Sequence, residues 1–321
     1  MVLIPYHSFS ALESPALPSF SIHGDENWGL FGKVVEVGDV DGDGMDDVVV
    51  SAPQAGNGND DKSNTGIVYV FDSSIFKDGK GGKAGELAKE VIRGEGERVH
   101  FGQSLDIESG TGRIAVGSPY HHVEGKDAVG KVEMIEVKGG ERVWTLVGCD
   151  HGGVVGGSLR FGKGGKLAIA EAGHNRTAHQ LRSGRVTVLD VGGLEGEVEL
   201  CGLEGRVEFE PHNAGGILGK LKLYNEARFG EAMEWSADGK RLLVGAPGGR
   251  KGGKVFEWEV EGGELKEVEG VVGEAGGRFG GVVRYGLNNK VLVAGEARAN
   301  LGSKERPDEE EYGGVHVVNV V

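Results

Sequence analysis

The segment Phe31–Phe71, FGKVVEVGDVDGDGMDDVVVSAPQAGNGNDDKSNTGIVYVF, contains the pattern that decides the fold. It opens on a Phe-Gly pair that leads into an apolar strand. It continues to the small-residue corner Ser51-Ala52-Pro53 and closes on the Gly-led strand Gly66–Phe71. Short apolar blocks bounded by Gly, Asp and Asn are typical of strands joined by tight turns. The segment therefore predicts strands at Lys33–Val37, Val48–Ser51 and Gly66–Phe71.

The same pattern occurs five times along the 321 residues, with copies that begin near residues 31, 101, 155, 229 and 279. The third copy has Val155-Gly156 in place of the Phe-Gly pair. A fourth strand, near Leu87–Arg93 in the first copy, precedes the next Phe-Gly. Four antiparallel strands per repeat, with several repeats in series, are the construction of a β-propeller. The sequence thus predicts an all-β propeller of five recognisable four-stranded blades.

The two ends of the repeat array carry incomplete blades. Ser21–Gly24 has the sequence of a fourth strand but precedes the first repeat, while the chain ends at Val321 on a third strand. These two could pair and close the ring, which would remove exposed strand edges. Alternatively, the chain is a piece of a longer propeller, and the spacer Gly192–Ala227 hides a decayed blade or an insertion. Residues 1–19 are interpreted as an N-terminal extension and residues 20–321 as one propeller domain.

Composition narrows the possible partners. A net charge of −15 argues against nucleic-acid binding, which requires a basic surface, and is compatible with cation binding. No apolar run approaches the roughly 18 residues of a membrane-spanning helix. The segment Met1–Phe20 has no basic region, so no clear signal peptide is present. Cys149 and Cys201 could pair or remain two buried thiols.

The pairing of Phe229-Gly230 with Gly245-Ala246-Pro247 resembles the FG-GAP repeats of integrin α-subunit propellers. Over residues 20–321 the set is most similar to the propeller half of glycosylphosphatidylinositol-specific phospholipases D. Those enzymes carry a separate N-terminal zinc-dependent catalytic domain, and nothing of that length precedes Phe31, so no catalytic residue is carried over. The resemblance implies a secreted or extracellular glycoprotein, with which the sequon at Asn175 is compatible.

The acidic turn Asp39–Asp47, DVDGDGMDD, is the candidate metal site. Its carboxylates at positions 1, 3, 5 and 9 and the backbone carbonyl at position 7 form an oxygen-rich set that suits Ca²⁺. The predicted ligands are Asp39, Asp41, Asp43, Met45 and Asp47. The alternative is a solvated Asp-Gly turn, although five carboxylates within nine residues would repel one another without a counter-ion.

Other features limit the interpretation of this turn. Strands flank it and Val50 stands at position 12, so it is not an EF-hand. The resemblance to FG-GAP calcium loops covers Asp39, Asp41, Asp43 and Asp47. The corresponding turns of the other four repeats lack the carboxylates, which predicts one calcium ion. Its expected role is to hold the hairpin and its blade in shape.

The predicted function is a non-catalytic recognition module that binds a protein or a glycan through loops on one face. By resemblance, the binding face is the one away from the calcium loop. The candidate corner loops are Gln54–Thr65, Tyr120–Val129, Gly173–Ser183 and Arg298–Tyr312. The alternative is the propeller section of a glycosylphosphatidylinositol-specific phospholipase D. A propeller enzyme and a zinc site at His121, His122, His174 and His179 are weaker alternatives, because the sequence offers no complete set of residues for either.

Overall fold

The computed structural model describes residues 20–56, 64–75, 81–174, 183–209, 227–248, 253–261, 264–267, 277–286, 291–298 and 314–319. Within these residues almost all regular structure is β-strand, and the helices are α1 (Ala84–Leu87) and a 3₁₀ turn at Leu200–Gly202. The all-β prediction is therefore confirmed. The described strands form five successive sheets of three to five strands, numbered I to V in chain order, and a separate two-stranded sheet.

The first part of the chain contains β1 (Ile22–His23), β2 (Val35–Gly38), β3 (Asp47–Ala52), β4 (Ile67–Phe71), β5 (Gly82–Lys83) and β6 (Glu90–Arg93). Sheet I has the order β2-β3-β4-β6, and each pair is antiparallel. These strands agree with those predicted for the first repeat to within a few residues. Strand β4 is buried along its whole length, as expected for a strand covered on both faces.

The remaining sheets repeat this order of chain-neighbouring antiparallel strands. Sheet II contains β7 (Ser104–Glu108), β8 (Arg113–Ser118), β9 (Lys131–Glu136) and β10 (Glu141–Val147). Sheet III contains β11 (Val155–Phe161), β12 (Lys166–Glu171), β13 (Arg185–Asp190) and β15 (Val207–Phe209), while β14 (Gly196–Glu199) extends sheet II. Sheet IV contains β16 (Ala232–Trp235), β17 (Arg241–Ala246), β18 (Lys254–Glu259) and β19 (Glu264–Glu267). Sheet V contains β20 (Gly277–Gly286), β21 (Val291–Arg298) and β22 (Gly314–Asn319).

The phenylalanine of the Phe-Gly pairs of sheets II, IV and V packs between its own sheet and the preceding one. Phe101 is completely buried in a cluster with Val68 of sheet I and Leu105 of sheet II. Phe229 and Phe279 are equally buried between sheets III and IV and between sheets IV and V. The hydrophobic core is thus a series of layers between sheets, which explains why the apolar residues recur with the repeat.

The glycine that leads the third strand allows the next repeat to approach. Gly66 has φ +94°, and a Cβ added there would lie 2.0 Å from the carbonyl oxygen of Phe101, far inside van der Waals contact. The same contact recurs at 2.2 or 2.3 Å in the next three pairs: Gly130 with Val155, Gly184 with Phe229, and Gly253 with Phe279. No side chain fits in this space, so glycine is required on steric grounds as well as conformational ones.

The N-terminal strand does not close a ring as one of the two alternatives expected. β1 pairs in parallel with β5, and the Gly82 N–H donates to the Ser21 carbonyl at 3.1 Å. Ile22 packs on the hydrophobic cluster of sheet I that contains Ala84 and Leu87. Within the described residues this strand therefore pairs with β5, in a separate two-stranded sheet beside sheet I, and not with sheet V.

The spacer Gly192–Ala227 holds no additional sheet within its described residues. Its first part supplies β14, which pairs in parallel with β10, and then β15, the fourth strand of sheet III. A disulfide joins Cys149, just after β10, to Cys201, just after β14. The open question about the two cysteines is therefore settled in favour of pairing, and the bond holds the spacer on sheet II.

We predict that Gly66→Ala destabilises the protein more than Gly125→Ala. Both residues have positive φ, but a Cβ at Gly125 would meet nothing within 4 Å. The control should lose about 1 kcal/mol for the left-handed backbone alone. Gly66→Ala should lose about 3 kcal/mol or more because it also forces two backbones apart. Urea unfolding measures both values, and equal losses would contradict the proposed role of this contact.

We predict that loss of the disulfide lowers the free energy of unfolding by about 4 kcal/mol, the loop entropy expected for a closed loop of this length. The bonded cysteines are 52 residues apart in the sequence. Urea unfolding of the oxidised protein, the reduced protein and a Cys149→Ser, Cys201→Ser variant measures the effect. The reduced protein and the variant should agree, and an unchanged midpoint in both would refute the prediction.

Candidate metal site and the cavity shared by the five sheets

The acidic turn connects β2 to β3 at one end of sheet I. The two carboxylate oxygens of Asp39 accept from the Gly42 and Gly44 N–H groups at 2.7 and 3.0 Å. Asp41 and Asp43 each accept from the N–H two residues further on, at 3.0 and 2.8 Å. These bonds curl the backbone around its own side chains. Carboxylate oxygens of Asp39, Asp41 and Asp43 consequently lie within 4.8 Å of one another, as the sequence predicts.

The other predicted ligands lie differently. Asp47, 1% exposed, forms a second group with Asp41 and with Asp72, whose oxygens also lie within 4.8 Å of one another. Its oxygens accept from the Val40 and Ser73 N–H groups at 3.2 Å, and burial raises its pKa. The participation of the Met45 carbonyl stays a prediction.

Sequence reasoning missed Asp72, although the strand register contains the signal. Val48 pairs with Phe71 across β3 and β4, so Asp47 and Asp72 flank the same rung of an antiparallel ladder. A carboxylate directly after the third strand therefore always lies beside the start of the second. Asp72 can be found from the sequence when the acidic turn is considered together with the strand that pairs with β3.

Lys89, in the segment before β6, places a positive charge beside the carboxylates of this site. Its ammonium donates to Asp41 and, at 2.8 Å, to Asp72. Hydrogen bonds from Lys89 hold the pKa values of both carboxyl groups below their usual range, and the same bonds raise the pKa of Lys89. The Lys89 ammonium thus already lies between Asp41 and Asp72, and the oxygens of these two carboxylates converge on a position suited to positive charge.

Oxygen donors of this kind suit a calcium ion, and Asp41 belongs to both converging groups. A carboxylate has about four lone-pair positions, so one N–H bond to an oxygen leaves capacity for a metal. Calcium accepts six to eight oxygen ligands in irregular geometry, and Asp39, Asp41, Asp43 and Asp47 supply such oxygens within one turn. Asp72 offers a further oxygen from the adjacent strand. A bound calcium ion would neutralise this cluster and would compete with Lys89 for Asp41.

The described residues give little support to the predicted alternative of a zinc site. Among the described residues, neither His121 nor His122 belongs to a group of three potential metal ligands. His174 does lie near two carboxylates, with its Nδ1 3.0 Å from Asp150. However, Arg185 donates to Glu171 at 2.6 and 2.9 Å and to Asp150 at 3.2 Å, which supplies the positive charge for that cluster. His179 and the sequon at Asn175 lie outside the described residues.

Of the four predicted corner loops, Tyr120–Val129 lies wholly within the described residues, and parts of the other three lie outside them. The corners connect the second and third strands of each sheet. They therefore lie at the opposite end of the strands from the acidic turn, which connects the first and second strands.

One cavity of about 520 Å³ is lined by residues from all five repeats: from the first strands of sheets II, III and V and from the segments just before the first strands of sheets I and IV. We call it the corner-side cavity, because Pro119, Tyr120 and Ala172 of the corners line it. Its charged lining residues are Lys33, Arg160, Arg228, Glu231 and Arg278. The five repeats thus converge on one space at or just before the start of their first strands.

A second cavity of about 420 Å³, the strand-side cavity, also receives a residue from the first strand of each sheet. Its charged residues occupy the same position of every repeat, five residues after the aromatic or Val of the Phe-Gly pair: Glu36, Asp106, Arg160, Glu234 and Arg284. Sequence reasoning missed this set, although the position is charged in all five copies. The signal would have come from aligning the repeats with one another.

Arg160 is the centre of this set. Its guanidinium lies 3.2 Å from Glu36, 3.8 Å from Asp106 and 4.0 Å from Glu234, residues that come from three different sheets. Arg284 lies 3.4 Å from Glu234. Three carboxylates and two guanidinium groups therefore share the cavity.

Burial raises the pKa of Asp106 to about 6, against the opposing effects of Arg160 and of the Phe161 N–H, while nearby Glu36 raises it further. Burial also raises the pKa of Glu234. Both groups consequently bind protons more tightly in the folded protein than in the unfolded chain. Such groups destabilise the fold increasingly as the pH rises through their titration range.

The comparisons with known proteins agree with this geometry. Residues 31–71, which include the acidic turn, match the FG-GAP repeat family. The fold and this match define an all-β protein that contains an FG-GAP repeat. Over 108 residues the chain is 39% identical to Integrin alpha pat-2 of Caenorhabditis elegans, a match that covers 30% of this chain and 8% of that protein. Neither finding bears on the phospholipase, so that resemblance stays a hypothesis.

No helix within the described residues has both the length and the apolar character needed to cross a membrane.

We predict that Asp106→Asn becomes more stabilising, relative to the parent protein, as the pH rises from 4 to 7. The folded pKa of about 6 exceeds the ordinary value of 3.8, so the cost of ionising Asp106 develops between these values and is full above pH 7. The predicted change in relative unfolding free energy is on the order of 3 kcal/mol. Urea unfolding at several pH values tests it.

The control is Asp127→Asn, which removes the same charge from a side chain that is 81% exposed. It should show no comparable trend with pH. A flat difference between Asp106→Asn and the parent over this range would contradict the assignment of a raised pKa to Asp106.

Proposed function

We propose that this chain is a β-propeller of FG-GAP repeats that binds one calcium ion and recognises a protein or glycan through its corner-side face. The proposal includes residues 20–321 as one propeller domain with residues 1–19 as an extension. The observation that carries it is the convergence of the first strands of all five sheets on the strand-side cavity, and of all five repeats on the corner-side cavity. First strands that meet around a common space are the arrangement of propeller blades.

The calcium proposal is supported by the acidic turn itself. Asp39, Asp41, Asp43 and Asp47 would bind the ion, with Met45 contributing its carbonyl and Asp72 a further carboxylate oxygen. The FG-GAP match includes the whole turn. The ion would act on stability, because it would join the turn between β2 and β3 to the residue that follows β4.

The recognition proposal is supported by the position of the corners and by the disulfide. Loops at one end of rigid sheets are a common place for binding residues. The matched integrin subunit suggests an extracellular setting, and the Cys149–Cys201 bond favours an oxidising environment such as that outside the cell. Tyr120, 43% exposed beside the corner-side cavity, offers an aromatic side chain to a partner.

Calcium should raise the melting temperature of the purified chain, and chelator should reverse the rise. An Asp41→Asn, Asp43→Asn variant should lose the effect, because it removes two carboxylates of the turn. Asp46→Asn is the matched control, since Asp46 is an exposed carboxylate of the same turn that is outside both groups of converging oxygens. Equal calcium-induced shifts in the double variant and the parent would refute the site.

A Lys89→Gln variant separates the role of the ammonium from that of calcium. In chelator it should melt at a lower temperature than the parent, since Asp41 and Asp72 lose their shared counter-ion. With saturating calcium the difference should shrink, and calcium affinity measured by calorimetry should increase. A weaker affinity in this variant would indicate that Lys89 positions the carboxylates instead of competing for them.

The recognition face can be tested by binding the calcium-loaded chain to arrays of extracellular protein domains and glycans. Substitution of Tyr120 with Ala should weaken any specific interaction, whereas Lys138→Ala, on the turn between β9 and β10, should not. Binding that is affected only by Lys138→Ala would place the partner on the opposite face and contradict the proposal.

A further inference from the structure

The corner-side cavity carries local positive charge on a strongly acidic protein. Lys33, Arg228 and Arg278 line it together with one carboxylate, Glu231, so these four residues contribute a net charge of +2, while Arg160, which also lines it, is paired with Glu36 at 3.2 Å. The whole chain has a net charge of −15. Carboxylates outnumber basic residues in this chain, so a random set of charged residues around a cavity would be mostly acidic. The excess of basic residues in this cavity therefore needs an explanation from the cavity itself.

The basic residues come from equivalent positions of different repeats. Arg228 and Arg278 directly precede the Phe-Gly pairs of sheets IV and V, while Lys33 and Glu231 directly follow those of sheets I and IV. Gly157 and Gly281 stand at the position of Lys33 and Glu231 in their own repeats and also line the cavity. The absence of side chains at these two glycines leaves room in front of the charged groups.

Glu231 is ion-paired with both arginines. Its Oε2 lies 2.9 Å from the Arg228 Nε, and its Oε1 accepts a hydrogen bond of 2.6 Å from Arg278. Glu231 is 25% exposed at its side chain, whereas Arg228 and Arg278 are 47% and 42% exposed. A guanidinium has five N–H donors in a planar fork, more than one shared carboxylate can accept. Two accessible guanidinium groups therefore border the same cavity.

We propose that the corner-side cavity binds a single carboxylate group from a partner protein, either an Asp or Glu side chain or a chain terminus. This inference rests on the proposed recognition function and specifies the chemistry of its ligand. Arginine forks bind carboxylates through paired, charge-assisted hydrogen bonds. The ligand carboxylate would share Arg228 and Arg278 with Glu231, and Lys33 would add a point charge.

The charge of the protein favours one carboxylate over a sulfated glycan. The excess positive charge in the cavity is small, and the surrounding chain is acidic, so a ligand with many negative charges would be repelled outside the cavity. A volume of about 520 Å³ accommodates a few residues of a peptide loop, within the range of sites that enclose small ligands.

The test uses the calcium-loaded full chain labelled with ¹⁵N, observed by NMR at the arginine Nε–H groups. The probe is acetyl-Gly-Glu-Gly-amide, and its control is the peptide with Gln in place of Glu. The Glu peptide should shift the signals of Arg228 and Arg278 saturably, whereas the Gln peptide should not. Arg278→Gln should weaken binding at least fivefold, and Arg113→Gln, on a strand of sheet II that does not line the cavity, should leave it unchanged.

Glu231→Gln provides a second and opposite variant. It removes the competing carboxylate, so the Glu peptide should bind several-fold more tightly. Equal shifts with the Glu and Gln peptides would overturn the proposal, as would tighter binding of a sulfated tetrasaccharide than of the Glu peptide at the same arginines. Weaker binding by Glu231→Gln would also overturn the competition that the proposal assigns to Glu231.

The experiments distinguish failure of the carboxylate site from failure of the proposed recognition function. If array experiments find a partner on the corner-side face but the Glu peptide does not bind, the carboxylate site fails and the recognition function stands. If the Glu peptide binds but every array partner maps to the opposite face, the site stands and the recognition function fails.

Discussion

A backbone-to-backbone contact is the constraint on which the rest of the structure depends. The glycine that leads the third strand of one sheet lies against the carbonyl of the aromatic residue in the next repeat, with no room for a Cβ. Because this contact requires no particular side chain from its partner, the third repeat can use Val155 where the others use Phe. The apolar layers between sheets tolerate variation, whereas the glycine recurs in each of the four contacts described.

The same contact determines which residues meet at the centre. It places the Phe-Gly turn of each repeat at a constant position relative to the preceding sheet. Residues at equal distances from that turn consequently converge, and the charged position five residues after it supplies the set around Arg160. The requirement for glycine at the boundary between sheets therefore brings charged residues from all five repeats together around Arg160.

Most of the fold could be predicted from the sequence, because strands and turns follow from local patterns. The strands of sheet I and the convergence of Asp39, Asp41 and Asp43 belong to this class. Asp72, Lys89 and the Cys149–Cys201 bond could not be predicted in the same way, since they depend on which strands lie side by side. The partner of the N-terminal strand could not be predicted for a related reason: its sequence resembles a fourth strand, but in the structure it pairs with β5.

The disulfide has a mechanical consequence. If the protein were stretched between its two ends, the residues between Cys149 and Cys201 could not contribute to its extension. The bonded residues are separated by 52 positions in the chain, which corresponds to about 180 Å of extended polypeptide. The first three strands of sheet III lie within that span and are therefore shielded from tension along the chain, whereas its fourth strand, β15, lies outside. Under load the strands outside the span would separate first, and the enclosed strands would bear no tension until the bond is reduced.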